Sequence, residues 1–202
     1  MAGSGAGPAW LADQRTELAA EKILDAAEGL FAQGDPGSVG MHEIARAAGC
    51  SRATLYRYFE NRETLNRAYV HRWASQLHGE LTSRLADISE PRERLVTGIS
   101  ESIALVRSNP ALASWFAETR PPIGAAMAER SELVTAIVAA FVADLGAESP
   151  AAVERRARWV VRAMTSLLIF PGRDAADELA MIEEFVVPLV APRIKPAASR
   201  RV

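Results

Sequence analysis

The twenty residues from Gly40 to Phe59, GMHEIARAAGCSRATLYRYF, restrict this chain more than any other stretch. Met41, Ile44, Ala45 and Ala48 recur at helical spacing and form one apolar face. Gly49 follows, where a glycine can take the left-handed conformation that ends a helix. Ser51 stands where a hydroxyl can cap the next helix by accepting a hydrogen bond from a free N–H. In that second helix Leu55 and Phe59 lie four apart on the inward side, which leaves Arg52, Thr54, Tyr56, Arg57 and Tyr58 pointing elsewhere. Two short helices about a tight glycine turn make a helix-turn-helix, whose second helix enters the major groove of DNA. The outward arginine, hydroxyl and phenol groups can bond phosphates and base edges.

The rest of the chain reads as further helices. Apolar residues are 49% of the sequence but aromatics only 6%, so the core is built mostly from Ala, Leu, Val and Ile. Alanine-rich segments with few strand formers predict an all-α protein. Residues 13–33 carry the stripe Ile23, Ala26, Ala27, Leu30 and Phe31, and the run GDPGS at 34–38 breaks that helix. Asn61 caps a helix over 62–87, with Leu65, Ala68, Tyr69 and Trp73 on one side. Pro91 opens another through Ser108, closed by Asn109-Pro110. A short helix over 111–119, then helices over 123–145, 150–170 and 174–190, complete the count at about nine. The last is expected to bend near Pro188. The expected organisation is a disordered leader over 1–12, a three-helix DNA-binding domain over 13–62, a helical ligand-binding and dimerisation domain over 63–191, and a disordered basic tail over 192–202.

Several function classes are disfavoured. One cysteine excludes an intramolecular disulfide framework. Cys50 itself is expected to be a small buried hydrophobe at the turn. No run of eighteen apolar residues predicts a membrane span, and the first residues lack the pattern of a secretory signal. His42, His71 and His78 have no Cys or paired carboxylate to complete a metal set. No nucleophile–base pair or phosphate-binding glycine loop is visible, so no enzyme and no cofactor are expected. The net charge of −2 names no nucleic-acid partner by itself. Its distribution does: Arg46, Arg52, Arg57, Arg62, Arg67 and Arg72 face only Glu60 and Glu63 across that segment. Such a local basic patch is the electrostatic footprint of a DNA contact.

The segment EIARAAGC followed by SRATLYRYFENRETL resembles the recognition region of the TetR family of bacterial transcriptional repressors, over roughly residues 14–66. The resemblance implies roles residue by residue. Ser51 would cap the recognition helix. Arg52 and Ala53 would read bases, the arginine through guanine O6 and N7 and the alanine through a thymine methyl. Thr54, Tyr56 and Tyr58 would contact phosphates, with Arg57 at a more variable outward position. Arg62 would pair with a phosphate at the start of the following helix. His42 matches a position that sometimes reads a base. The chain departs from the family pattern at three places: Gly40 where a Ser or Thr is common, Glu60 where a Lys is common, and Cys50 in place of Val.

The same resemblance implies a bacterial cytoplasmic repressor with a homodimer interface and a site for a small effector. The apolar faces of 151–170 (Val153, Ala157, Val160, Val161, Met164, Leu167, Leu168) and 174–190 (Leu179, Ile182, Phe185, Val186, Leu189) can pair across a two-fold axis. Trp73, Leu105, Trp115, Phe116, Met127, Val134, Ile137 and Met164 are expected to line an effector pocket for a small apolar or amphipathic molecule, with Glu101, Arg107, Arg120 and Thr165 orienting a polar end. Two recognition helices about 34–36 Å apart would then read a palindromic double-stranded operator. A ligand-independent architectural DNA binder, or an enzyme with a catalytic helical domain, are the alternatives.

Overall fold

The computed structural model describes residues 9–117, 123–146 and 149–191, and among these no residue is in a strand. The helices run in the order α1 (Ala9–Phe31), α2 (Met41–Ala47), α3 (Arg52–Tyr58), α4 (Arg62–Arg84), α5 (Pro91–Ser108), α6 (Pro110–Ala113), α7 (Ile123–Arg130), α8 (Glu132–Asp144), α9 (Pro150–Ile169) and α10 (Ala175–Met181). A π turn (Ile182–Val186) and α11 (Val187–Val190) continue α10. Short polar side chains start most of them. The Asn61 carboxamide oxygen accepts from the Thr64 N–H at 2.9 Å, and Asp174 accepts from the Asp177 N–H at 2.9 Å. Proline opens α5, α6 and α9, where its missing N–H costs nothing.

The observed helices depart from the expected ones in four places. Residues 9–12 are helical rather than part of a leader, since Ala9, Leu11 and Ala12 favour helix. The expected helix over 123–145 is two helices. Ser131 between them is buried, takes an extended backbone and caps α8 by accepting from the Val134 N–H at 3.2 Å. The helix expected over 111–119 ends at Ala113 and continues as turns. The bend near Pro188 takes the form of a π turn, in which the Val187 N–H reaches back five residues to the Ile182 carbonyl. Pro188 offers no N–H to the Glu184 carbonyl, and the wider turn accommodates its ring. Residues 1–8 and 192–202 lie outside the described residues.

Two apolar cores organise the described residues. The first joins Ile23, Leu24, Ala27 and Phe31 of α1 to Ile44, Ala45, Leu55, Phe59, Leu65 and Tyr69. It also takes in Ala111 and Trp115, from beyond the 13–62 segment. Phe31, Tyr69 and Trp115 form its centre: Phe31 meets the other two edge-on at 5.2 Å, and Tyr69 stacks on Trp115 at 5.5 Å. Each such ring contributes about 1.5–3 kcal/mol by leaving water. The second core packs Leu95, Ile99 and Ile103 of α5 against Val142, Val160, Leu167, Ile182, Val186 and Val190.

A charged cluster ties α4 to α1. Arg72 donates to Glu21 at 3.1 Å, to Asp25 at 2.7 Å and to Glu28 at 2.7 Å. Glu28 also accepts from the Asn109 side chain at 3.2 Å, which extends the connection to the start of α6. Burial opposes the charge on Arg72, but its carboxylate partners outweigh that and raise its pKa. α6 therefore stands where the two cores meet, with its Ala111 in the first and the preceding helix α5 in the second.

Candidate DNA-reading surface

The turn between α2 and α3 sets the aim of α3. Gly49 has φ +67°, a left-handed conformation that side chains with a Cβ resist. Around it the Gly49 N–H donates to the Arg46 carbonyl at 3.1 Å, and the Cys50 N–H to the Ala45 carbonyl at 3.0 Å. This pair of bonds is a Schellman motif. Cys50 supplies its apolar contact, half-buried against the first core rather than fully enclosed. Ser51 then caps α3, its hydroxyl accepting from the Thr54 N–H at 3.0 Å. At the start of α2, Gly40 has no side chain to cap with. The Glu43 carboxylate still accepts from the Gly40 N–H at 2.7 Å, so one half of a capping box is kept.

Leu55 and Phe59 are buried and anchor α3 to the first core. Arg52, Ala53, Tyr56 and Arg57 are exposed in consequence, and Thr54 and Tyr58 are half-buried. The Arg57 guanidinium lies 5.2 Å from the Tyr58 ring centre, within cation–π range. His42 and Ser51 are exposed beside this row. The solvent-facing surface of α3 thus carries the outward set read from the sequence.

The basic patch is smaller than the sequence suggests. Arg72 is committed to its three carboxylates. Arg62, the expected phosphate partner, is half-buried and donates instead to the Pro36 carbonyl in the α1–α2 loop. Pro36 is fully buried, and the Asp35 carboxylate accepts from the Gly37 N–H at 2.8 Å, so Arg62 fastens a closed turn to the start of α4. Arg46, Arg52, Arg57 and Arg67 are exposed and have no ion pair among the described residues.

Among the described residues the expected effector lining divides between the two cores. Trp73, Trp115, Phe116 and Met127 pack in or against the first core, and Met164 against the second. Leu105 is half-buried on α5, and Glu101 pairs with Arg84. Trp115 cannot line an open pocket because its indole is enclosed by Phe31 and Tyr69. Val134, Ile137 and Thr165 are half-buried, and Arg120 lies outside the described residues. A cavity of about 250 Å³ does open between α6 and the end of α9, lined by Arg107, Ala113, Phe116, Ala117, Leu168, Ile169 and Pro171. Among the described residues it collects Phe116 and Arg107 of the expected lining. The rest meets where two helix ends far apart in sequence converge, and no local pattern announces that.

On the C-terminal helices the apolar faces divide in two. Ala157, Val160, Val161, Leu167, Ile182 and Val186 are buried within the chain. Trp159, Phe170, Leu179, Met181, Phe185 and Leu189 are each at least 40% exposed. Among the described residues no group of His, Cys, Asp or Glu is placed to hold a metal ion.

A glycine-turned helix pair that presents arginine and tyrosine from its second helix defines a helix-turn-helix DNA-binding protein. Comparison with known proteins agrees: residues 23–69 match the model of the bacterial regulatory proteins of the tetR family. The chain is 61% identical over 196 residues to an uncharacterized HTH-type transcriptional regulator of Mycobacterium tuberculosis H37Rv, Rv1255c, covering 97% of this chain and 96% of that protein. It belongs to the TetR family of transcriptional regulators. Solved structures share the fold. The TetR family repressor AlkX from Dietzia, implicated in biodegradation of n-alkanes, matches with TM-score 0.63 at 21% identity over 84% of this chain and 93% of that one. FadR of Thermus thermophilus, crystallised with lauroyl-CoA, matches with TM-score 0.62 at 24% identity over 88% of this chain and 98% of that one.

Proposed function

We propose that this regulator is a repressor that binds a palindromic operator as a homodimer and is released by a small, mostly apolar effector. One observation carries the reading: the chain leaves two surfaces uncovered that answer each other, the polar face of α3 and the apolar face of α9 with α10 and α11. Arg52 and Ala53 read bases from the first turn of α3, with His42 beside them. Ser51, Thr54, Tyr56, Arg57 and Tyr58 hold the backbone, and Arg46 and Arg67 add phosphate attraction. Arg62 fixes the α1–α2 loop to the start of α4, beside this surface.

Pairing through Trp159, Phe170, Met181, Phe185 and Leu189 removes an apolar patch that a lone chain would leave in water. The paired molecule presents two copies of α3 to one face of a duplex, which is why the operator is palindromic. Structural relatives support a small-molecule effector, as the lauroyl-CoA complex of FadR illustrates. The protein acts by binding, not turnover, in the cytoplasm; no helix among the described residues is long and apolar enough to cross a membrane.

The test is the double variant Phe185→Asp/Leu189→Asp, which places charge in the proposed interface while touching neither core. Sedimentation should show monomers, and operator affinity should fall at least tenfold, about 1.4 kcal/mol. Monomers that bind the operator as tightly as the native protein would refute the paired reading.

A further inference from the structure

The cavity between α6 and the end of α9 has a chemistry that narrows the effector, on the ligand-responsive reading above. Among the described residues its lining side chains are apolar except that of Arg107. A guanidinium carries five N–H donors. Arg107 spends three of them: Nη1 donates to one Glu178 oxygen at 2.8 Å, and Nη2 donates to the other at 2.7 Å and to the Leu167 carbonyl at 2.9 Å. One Nη1 hydrogen and the Nε–H are left over.

The charge of Arg107 is already answered. Glu178 is buried, binds it through both oxygens, and accepts from the Gly172 N–H at 2.9 Å as well. A carboxylate or phosphate brought to Arg107 would stand against Glu178, and like charges so placed repel. A neutral carbonyl or ether oxygen meets no such opposition.

Size sets the second limit. An apolar cavity of about 150 Å³ accepts benzene, and a water-sized group fills about 30 Å³ of liquid volume. The 250 Å³ here therefore holds one ring and about three further non-hydrogen atoms. The whole of an acyl-coenzyme A is several times too large to lie inside it.

We propose that this cavity binds a neutral molecule about one aromatic ring in size, with a hydrogen-bond acceptor directed at Arg107. Its occupation reaches the DNA-binding helices through the turns that follow α6. Phe116 lines the cavity and is backed by Gly124, where a Cβ would stand 2.9 Å from the Phe116 ring. The Gly124 N–H also holds the Trp115 carbonyl at 3.0 Å. A ligand pressing on Phe116 thus meets a closed wall and moves the Trp115 segment, whose indole sits against Phe31 of α1.

Calorimetric titration of the full chain with acetophenone, benzoate and lauroyl-CoA tests this. Acetophenone should bind at least tenfold more tightly than benzoate, its anionic counterpart of similar size, and lauroyl-CoA should not bind. Ala117→Leu, at an exposed lining position, should cut acetophenone affinity at least tenfold while the melting temperature stays within about 2 °C. Benzoate binding as well as acetophenone, no acetophenone binding, or an indifferent Ala117→Leu would each overturn the proposal. Lauroyl-CoA binding that releases the operator would overturn the ring-sized class alone and leave the ligand-responsive reading standing. Acetophenone binding without operator release would do the reverse.

Discussion

Trp115→Ala probes the joint between the two cores. Trp115 comes from the turns after α6 yet is 3% exposed within the first core, against Phe31 of α1 and Tyr69 of α4. Truncating a buried tryptophan costs about 3–5 kcal/mol through lost transfer energy and the cavity left behind. The two ring contacts account for about 0.5–1.5 kcal/mol each within that total. In a chain of this length each kcal/mol lowers the melting temperature by about 2–4 °C, so a fall of about 6–20 °C is expected. Trp115→Phe should cost far less. It keeps a ring in place and removes an indole N–H that is buried without an acceptor among the described residues. Thermal unfolding followed by circular dichroism gives both values. A single transition is expected for the native chain, because one core draws on α1, α4 and the segment after α6. A Trp115→Ala melting temperature within about 2 °C of native, or separate unfolding of the two cores in the native protein, would refute this account of the joint.

Two further outcomes follow from local geometry. Gly49→Ala places a Cβ in open space but at φ +67°, so its cost is conformational, about 1–2 kcal/mol in urea unfolding; an unchanged midpoint would show that the turn does not require that backbone. The Arg107 guanidinium holds the Glu178 carboxyl below its ordinary value, with the Gly172 N–H adding to the effect against burial. A depressed carboxyl contributes stability that is present above its unfolded pKa, about 4.3, and is lost as pH falls through the lower folded value. Glu178→Gln should therefore lower stability at pH 7 and flatten the acid limb of the native curve below about pH 4; an acid limb identical to native would remove Glu178 from the account.

The recognition region was legible because its signals are local. Gly49, Ser51 and the Leu55–Phe59 pair lie within eleven residues and each dictates its own hydrogen bond or buried face. Ser131 was a local signal too, but the helix-favouring Glu129, Arg130 and Glu132 around it hid the break, which its extended backbone and buried cap bond make between α7 and α8. The arginines could not be sorted by composition. Arg62 finds its acceptor 26 residues back, and Arg72 finds carboxylates 44 to 51 residues back, so tertiary packing decided which cations face solvent. The cavity is a meeting of helix ends 60 residues apart, as the Arg107–Leu167 bond shows, and periodicity within one helix carries no trace of it. The apolar faces of α9 to α11 were visible as wide stripes, but which half stays in water needed the fold.

The most direct test selects bound duplexes from a random pool with the native protein and with Arg52→Ala. The native protein should recover two inverted half-sites with centres about 10–10.5 base pairs apart, or a multiple of that. Arg52→Ala should lose preference at one position in each half-site, about 1–3 kcal/mol of discrimination, and leave the others intact. Recovered sites without inverted symmetry, or an Arg52→Ala preference identical to native, would contradict the claim that a paired α3 reads the groove.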